Sequence, residues 1–300
     1  MEGRKDTKIL HRLFRFLLGA CALLPLRFLH AVGSVLGWTI YVASPSYRRH
    51  LKANLAQAGV VAPEEMRRVR REAIAEAGKM LAELPALWFL PQEEVAALVR
   101  EAPGTELPEA AHARGEALLF LTPHMGSFEV TAQYLSVRAE KLGLPVTILY
   151  RPPKLAWLQP LMQEGRGRRS IRLVPADVTG VRQLFAALRR REAVGFLPDQ
   201  VPGQGEGEWA EFFGRPAYTM TLAAKLAERP GIACFIACAR RLPHGAGYAI
   251  ACRPLPERLP GESATRRLNR AIEELVREHP GQYLWSYNRY KTPTGAPPPP

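Results

Sequence analysis

Apolar and polar positions follow two different rhythms along this chain. After a polar, basic opening over residues 1–12, an apolar stretch runs from about Leu13 to Ala43. It is broken by Arg15, Pro25, Arg27 and His30 and followed by Arg48, Arg49 and Lys52. Residues 63–84 carry their charges along one side at helical spacing, which predicts an amphipathic helix. Beyond it, short apolar runs alternate with helical stretches. Strands are expected at 116–122, 146–150, 171–175, 193–198, 232–239 and 248–255. Helices are expected at 127–141, 155–165, 178–191, 219–229 and 263–279. A stretch rich in Gly and Pro, 199–217, reads as a loop, and PTGAPPPP as a loose tail over 293–300. This alternation predicts an α/β fold, a central mixed sheet flanked by helices, preceded by an apolar N-terminal helix associated with a membrane. No internal repeat is visible.

The N-terminal stretch has three readings. Before residue 28 it holds no uncharged apolar run of the length a spanning helix needs. A cleaved signal peptide would give way to a polar mature chain, but here the sequence continues through VLGWTIYVA. Leu18-Gly19-Ala20-Cys21 faintly resembles a lipoprotein cleavage box, and the same objection applies. A buried helix of the fold remains open. The reading adopted is a membrane anchor over residues 1–45, either spanning or lying in the interface. The basic flanks suit anionic lipid without fixing an orientation.

Composition narrows the class. At 47% apolar residues, the chain of 300 residues has material for a core and is not a disordered one. The 27 prolines and 24 glycines lack the three-residue period of collagen. Cys21, Cys234, Cys238 and Cys252 are too sparse for a disulfide scaffold and form no C-x-x-C pair, so a reducing compartment is the simpler reading. The net charge of +13 admits nucleic acid, an anionic membrane or an acidic partner. Ten basic residues fall within 151–191: Arg151, Lys154, Arg166, Arg168, Arg169, Arg172, Arg182, Arg189, Arg190 and Arg191. Taken singly they read as solvated helix faces, and together as a surface for anions. No RRM-like, zinc-finger or helix-turn-helix pattern supports nucleic acid.

Candidate chemistry concentrates at Leu121-Thr122-Pro123-His124-Met125-Gly126-Ser127-Phe128-Glu129. A strand ends there, Pro and Gly bracket a turn, and Ser127 is placed to cap the next helix. Ligands of open α/β sheets bind at the carboxyl ends of strands, where His124 sits. Residues five apart on one helix point about 140° apart. His124 and Glu129 therefore meet only if the first is in the turn and the second in the first helical turn. A carboxylate beside an imidazole fixes its tautomer and stabilises its charged form. The plain alternative is a turn histidine with a glutamate favoured by the helix dipole. Asp199, in Leu197-Pro198-Asp199-Gln200, also follows a strand. No H-E-x-x-H, G-x-S-x-G or P-loop is present, and Gly203, Gly205 and Gly207 lack dinucleotide-binding spacing. Cys234 and Cys238 read as core.

In this context His124 and Glu129 make an H-x-x-x-x-[D/E] motif, and the chain resembles the late acyltransferases of lipid A biosynthesis. That family of lauroyl and myristoyl transferases belongs to the wider lysophospholipid acyltransferase-like group. Tyr150-Arg151-Pro152, the G-R-x-R element Gly165-Arg166-Gly167-Arg168, the P-D-[QH] loop Pro198-Asp199-Gln200 and Phe212-Phe213-Gly214 match in order. So does Gln282-Tyr283-Leu284-Trp285-Ser286-Tyr287-Asn288-Arg289-Tyr290-Lys291 against Q-Y-x-W-x-H-x-R-F-K. The similarity covers roughly residues 10–292. Tyr287 stands in place of the family's usual His, with Asn288 after it, and the loop PGQGEGE is richer in Gly and acid than expected. Both leave the acceptor and the acyl chain open.

The resemblance implies a bacterial inner-membrane enzyme with its active site on the cytoplasmic side. It would move a fatty acyl group from acyl carrier protein to a hydroxyl of a glycolipid, a lipid A precursor. The acyltransferase domain would span 46–292. His124 would be the general base and Glu129 its orienting partner. Arg166 would bind the oxyanion or a substrate phosphate, with Arg151 and Arg168 in similar roles, and Asp199 would hold the site or an acceptor group. No cofactor or metal is expected, the acyl-loaded carrier protein being a substrate. The acidic carrier would be recruited by the 151–191 cluster. Rival expectations are acyl-CoA as donor, another glycolipid or a lysophospholipid as acceptor, and a lipid-binding protein without catalysis.

Overall fold

A computed structural model describes residues 14–300 except 154, 156 and 204. The opening of the expected anchor and Lys154 of the basic cluster lie outside the described residues. The apolar N-terminal stretch is two helices, α1 over 14–22 and α2 Leu26–Ala43, parted at Pro25. Ser44 and Pro45 then end α2 and start α3 Pro45–Ala58: the Ser44 hydroxyl accepts the Tyr47 N–H, and proline suits a first helical turn. α4 Met66–Ala82, α5 Leu84–Phe89 and α6 Gln92–Ala97 follow, then the short β1 Val99–Glu101 and α7 Leu107–Ala113.

The βα alternation comes next: β2 Ala117–Leu121, α8 Phe128–Lys141, β3 Val146–Tyr150, α9 Leu158–Arg166, β4 Ile171–Pro175, α10 Val178–Arg189 and β5 Ala193–Phe196. All five residues of β2 and all four of β5 are buried, so these strands read as unbroken apolar runs, as parallel strands covered on both faces do. Asp177 starts α10 by accepting the Gly180 N–H at 2.8 Å. Ser127 stands at the N-cap of α8 as expected, but its side chain makes no capping bond.

The expected loop over 199–217 instead contains a strand. β6 Gly207–Phe212 and β7 Arg215–Met220 form a separate antiparallel hairpin. Glu208 and Glu211 face solvent while Ala210 and Phe212 are buried, so glycine-rich flanks hid a short half-buried strand. α11 Thr221–Ala227, β8 Ile232–Arg241, β9 Tyr248–Pro254 and α12 Ala264–Glu278 complete the described elements.

The large sheet has seven strands in the order β1-β9-β8-β2-β5-β3-β4. β8, β2, β5, β3 and β4 are parallel, and β9 is antiparallel to β8, which makes the sheet mixed. One apolar layer packs α4, α10, α11 and α12 on one face, and a second lies with α7 and α8 on the other. The reversal of order between β2, β5 and β3 opens a crevice at their carboxyl ends.

Candidate active site

Sheet register builds the centre of the site. β2 and β5 are neighbours, with Leu121 opposite Phe196. His124 and Asp199 each lie three residues beyond that pair, so they leave the sheet side by side. The Asp199 carboxylate accepts twice from His124, through Oδ1 from the ring Nδ1–H at 2.7 Å and through Oδ2 from the backbone N–H at 2.9 Å. With Nδ1 carrying the proton, Nε2 is an acceptor, and the Gln200 amide nitrogen donates to it at 3.1 Å. Burial raises the Asp199 pKa, but its interactions with the His124 ring and backbone outweigh it, and the carboxyl is held below its usual range.

The turn carrying the imidazole is clamped by the C-terminal signature. Met125 bridges to Tyr283, the Gly126 N–H donates to the Gln282 carbonyl at 2.8 Å, and Leu284 N–H donates to the His124 carbonyl at 3.0 Å. Ser127 N–H donates to the Ala239 carbonyl at 2.7 Å. Gly126 has φ +54°, and a Cβ there would overlap the Ala239 carbonyl oxygen, so the motif requires glycine.

Glu129 is not the direct partner of His124. It lies buried in the first turn of α8 and is engaged by Arg166, whose Nε donates to Oε1 at 2.8 Å and to Oε2 at 3.0 Å while Nη2 makes a further bond to Oε1. Trp88 Nε1–H donates to the same carboxylate at 3.3 Å. The Phe128 ring packs against the imidazole at 5.2 Å between centroids. The carboxylate expected to orient His124 therefore holds the guanidinium instead, and Asp199 orients the ring. Gly165 of the G-R-x-R element lets Trp88 pack directly on α9, because any Cβ there would collide with the indole.

The other expected site residues separate. Arg151 is exposed and lines the cavity beside the site. Arg168 does not line it. Its guanidinium donates to the carbonyls of Leu87, at 3.4 Å, and Leu90, and so caps the end of α5. Within the basic cluster Arg169 is paired with Glu140 and Glu93, Arg190 with Glu192, and Arg191 with the Gly231 carbonyl. Arg172, Arg182 and Arg189 are exposed.

The cavity encloses about 330 Å³. His124, Glu129, Arg151, Arg166 and Gln200 are among its polar lining, with Thr131 and Gln133 of α8. Its remaining wall runs inward between α8, β3 and β5 past Phe120, Leu135, Val146, Ile148, Ile171 and Phe196. This is a largely apolar slot with a hydrogen-bonded imidazole in its wall. Among the described residues no cluster of three His, Cys, Asp or Glu side chains is arranged to hold a metal ion.

Sequence reasoning did not assign the second layer. Tyr287 accepts the Val201 N–H on its hydroxyl at 3.0 Å and so secures the segment that carries Asp199 and Gln200. Arg289 is buried, donating to the Tyr218 carbonyl and Thr219 Oγ1, both at 2.8 Å, and to Asn269 Oδ1 at 3.2 Å. Its charge contributes to the lowered pKa of Asp199. Burial and the charge of Asp199 both raise the Tyr283 hydroxyl well above its usual range. The Q-Y-x-W signature was the available signal, but it does not show which loop its residues support.

Comparison with known proteins places the sequence in a family. The family model described as bacterial lipid A biosynthesis acyltransferase matches residues 4–292. The lipid A biosynthesis lauroyltransferase of Escherichia coli K12 is 27% identical over 248 residues, 78% of this chain and 77% of the relative. The palmitoleoyltransferase of the same organism is 26% identical over 232 residues, 76% of this chain and 73% of the relative. A lipid A biosynthesis acyltransferase of Haemophilus influenzae is 24% identical over 193 residues, 63% of this chain and 58% of the relative. With nearly its whole length matched by the family model, the chain belongs to the bacterial lipid A biosynthesis acyltransferase family and is an acyltransferase.

Proposed function

We propose that this acyltransferase moves a fatty acyl chain from the thioester of acyl carrier protein to a hydroxyl of a lipid A precursor at the cytoplasmic face of the bacterial inner membrane. The observation that carries the reading is the pairing with Asp199 of His124, in the wall of a largely apolar slot. The acyl chain occupies the slot and its thioester carbonyl lies beside Nε2. The acceptor hydroxyl displaces the Gln200 amide from Nε2 and gives its proton to that nitrogen as its oxygen attacks the carbonyl carbon. Asp199 stabilises the imidazolium that forms. Arg166, held by Glu129, supports the oxyanion of the tetrahedral intermediate or a phosphate of the acceptor. The C–S bond then breaks, and the imidazolium returns its proton to the departing thiolate.

No protein nucleophile takes part in this sequence. Cys234, Cys238 and Cys252 lie in β8 and β9 with their thiols pushed up to about 12, 11 and 12 by burial, which keeps them protonated. Exposed Arg172, Arg182 and Arg189 support recruitment of an acidic carrier protein, and Arg151 lies at the cavity for the donor or the acceptor. The test is acyl transfer by purified protein to a lipid A precursor, with acyl-carrier protein and acyl-CoA compared as donors and the product mass measured. Transfer from the carrier protein that is lost in His124→Ala is expected. A strict preference for acyl-CoA would overturn the donor. Transfer only to lysophospholipids would overturn the acceptor.

A further inference from the structure

α2 has the length and mean hydropathy, 1.3, of a helix able to cross a bilayer. Its packing points elsewhere. It runs antiparallel along α4 with backbones in direct contact. A Cβ on Gly33 would overlap the Lys79 backbone, one on Gly37 the Ile74 carbonyl, and one on Gly78 the backbones of Gly33 and Gly37. Below this seam the His30 ring lies 3.2 Å from Glu83, which also accepts from Tyr248 at 2.9 Å and from Arg241. Arg241 reaches Glu76 at 3.0 Å, and Glu76 also pairs with Lys79. α4 presents Arg67, Arg68 and Arg71 to solvent. A bilayer-crossing α2 would carry this helix and a cluster of ionised groups into hydrocarbon, where neither has partners of low cost.

The opposite face of α2 is apolar and bare. Phe28, Val35 and Val42, seven residues apart and so on one side, are 51%, 68% and 69% exposed. Phe16 on α1 and Leu23 just beyond its end are 73% and 80% exposed. Exposed cations border this surface at Arg15, Arg27, Arg49 and Lys52, which complements an anionic leaflet. The surface also reaches the cavity. Phe14 of α1 packs on Trp157 at 4.7 Å between centroids, and Arg15 Nε donates to Glu164 of α9 at 2.7 Å. α9 ends at Arg166 in the site, and Leu155 beside Trp157 is exposed.

We propose that α1 and the outer face of α2 lie in the plane of a single anionic leaflet without crossing it, forming a fixed platform that sets the cavity mouth against that leaflet. A lipid acceptor then enters laterally, its hydroxyl reaching His124 while its chains stay in lipid. The lateral route rests on the acyltransferase reading above; the in-plane geometry rests on the packing alone.

The full chain, with Cys21→Ser and Cys234→Ser to leave only the buried Cys238 and Cys252, carries a nitroxide on Phe28→Cys, Val35→Cys, Val42→Cys or, just beyond α1, Leu23→Cys. Each is bound to vesicles of phosphatidylcholine and phosphatidylglycerol. Collision with oxygen and with a water-soluble nickel chelate reports label depth. In-plane helices give the same shallow depth at all four positions. A Val35 label deeper than Phe28 and Val42 by about 10 Å, the rise of seven helical residues, means a spanning helix and overturns the platform while leaving membrane binding intact. Labels that stay open to nickel, or that broaden with protein concentration because two chains cover each other's faces, overturn membrane docking as well. Acyl transfer to a detergent-dispersed acceptor, measured on the same samples, separates that outcome from failure of the enzymatic reading.

Discussion

His124 and Asp199 are joined by two bonds at once: the carboxylate accepts the ring Nδ1–H at 2.7 Å and the backbone N–H of the same residue at 2.9 Å. One side chain thereby fixes both the rotation of the imidazole and the position of the turn that carries it. Asp199→Asn keeps the shape and loses the charge. Its amide can also present N–H groups to Nδ1, favouring the wrong tautomer. Turnover is expected to fall about 10²- to 10⁴-fold with an unchanged circular-dichroism spectrum. Steady-state transfer by the purified variant checks this, and near-wild-type turnover would remove Asp199 from the mechanism.

Glu129 is bonded to Arg166 and not to His124, and a role exerted through that pair would have a signature of its own. Arg166→Lys loses the forked guanidinium, and Glu129→Gln loses the charge that holds it. Each is expected to lower kcat by about 10²- to 10³-fold. If the two form one unit, the double variant is little worse than either single one. Losses that multiply would mean that Glu129 serves the imidazole separately.

Tyr287 marks the position where the family pattern carries histidine, and its hydroxyl accepts the Val201 N–H. Tyr287→Phe leaves that donor unpaired at a cost of about 1–3 kcal/mol. It should lower kcat more than it alters KM, because Asp199 and Gln200 belong to the loosened segment. Tyr287→His restores an acceptor and is expected to recover most of the turnover. Equal loss in both variants would rule out this supporting role.

Acid stability follows from Glu83. Burial opposes its ionisation, but Arg241 and the His30 ring hold its pKa down from 4.5 to about 2. The folded value is the lower one, so this stabilisation is complete above about pH 4.5 and is lost as the pH falls toward 2. Glu83→Gln leaves Arg241 without its main partner and is expected to cost about 3–5 kcal/mol at neutral pH. Urea unfolding at pH 7 and at pH 4 checks both parts, the wild type losing part of its advantage over the variant at the lower pH.

Much of the fold was legible in the chain. β3 and β4 fall where their apolar runs predict, and α4, α8, α10 and α12 within a few residues of their predicted bounds. Buried parallel strands and amphipathic helices announce themselves locally. The hairpin of β6 and β7 did not, because Glu208 and Glu211 interrupt the apolar alternation of β6 and its flanks are rich in Gly and Pro. The docking of α2 was equally hidden. Gly33 and Gly37 stand four apart in an apolar run that reads as an anchor, spanning or interfacial, and nothing within that run points to Gly78 on another helix, against which they pack.

By itself the sequence determined the residue types of the site, its position at strand ends and the family motifs, since these depend on local pattern and order along the chain. Only the tertiary structure decided which carboxylate reaches the imidazole. Glu129 is five residues from His124 and Asp199 is seventy-five away, yet the nearer one turns to Arg166 and the distant one makes the bond. The reason is the strand order. With β5 beside β2 and Leu121 opposite Phe196, the backbone brings the two loops together, and no periodicity within either segment encodes that adjacency.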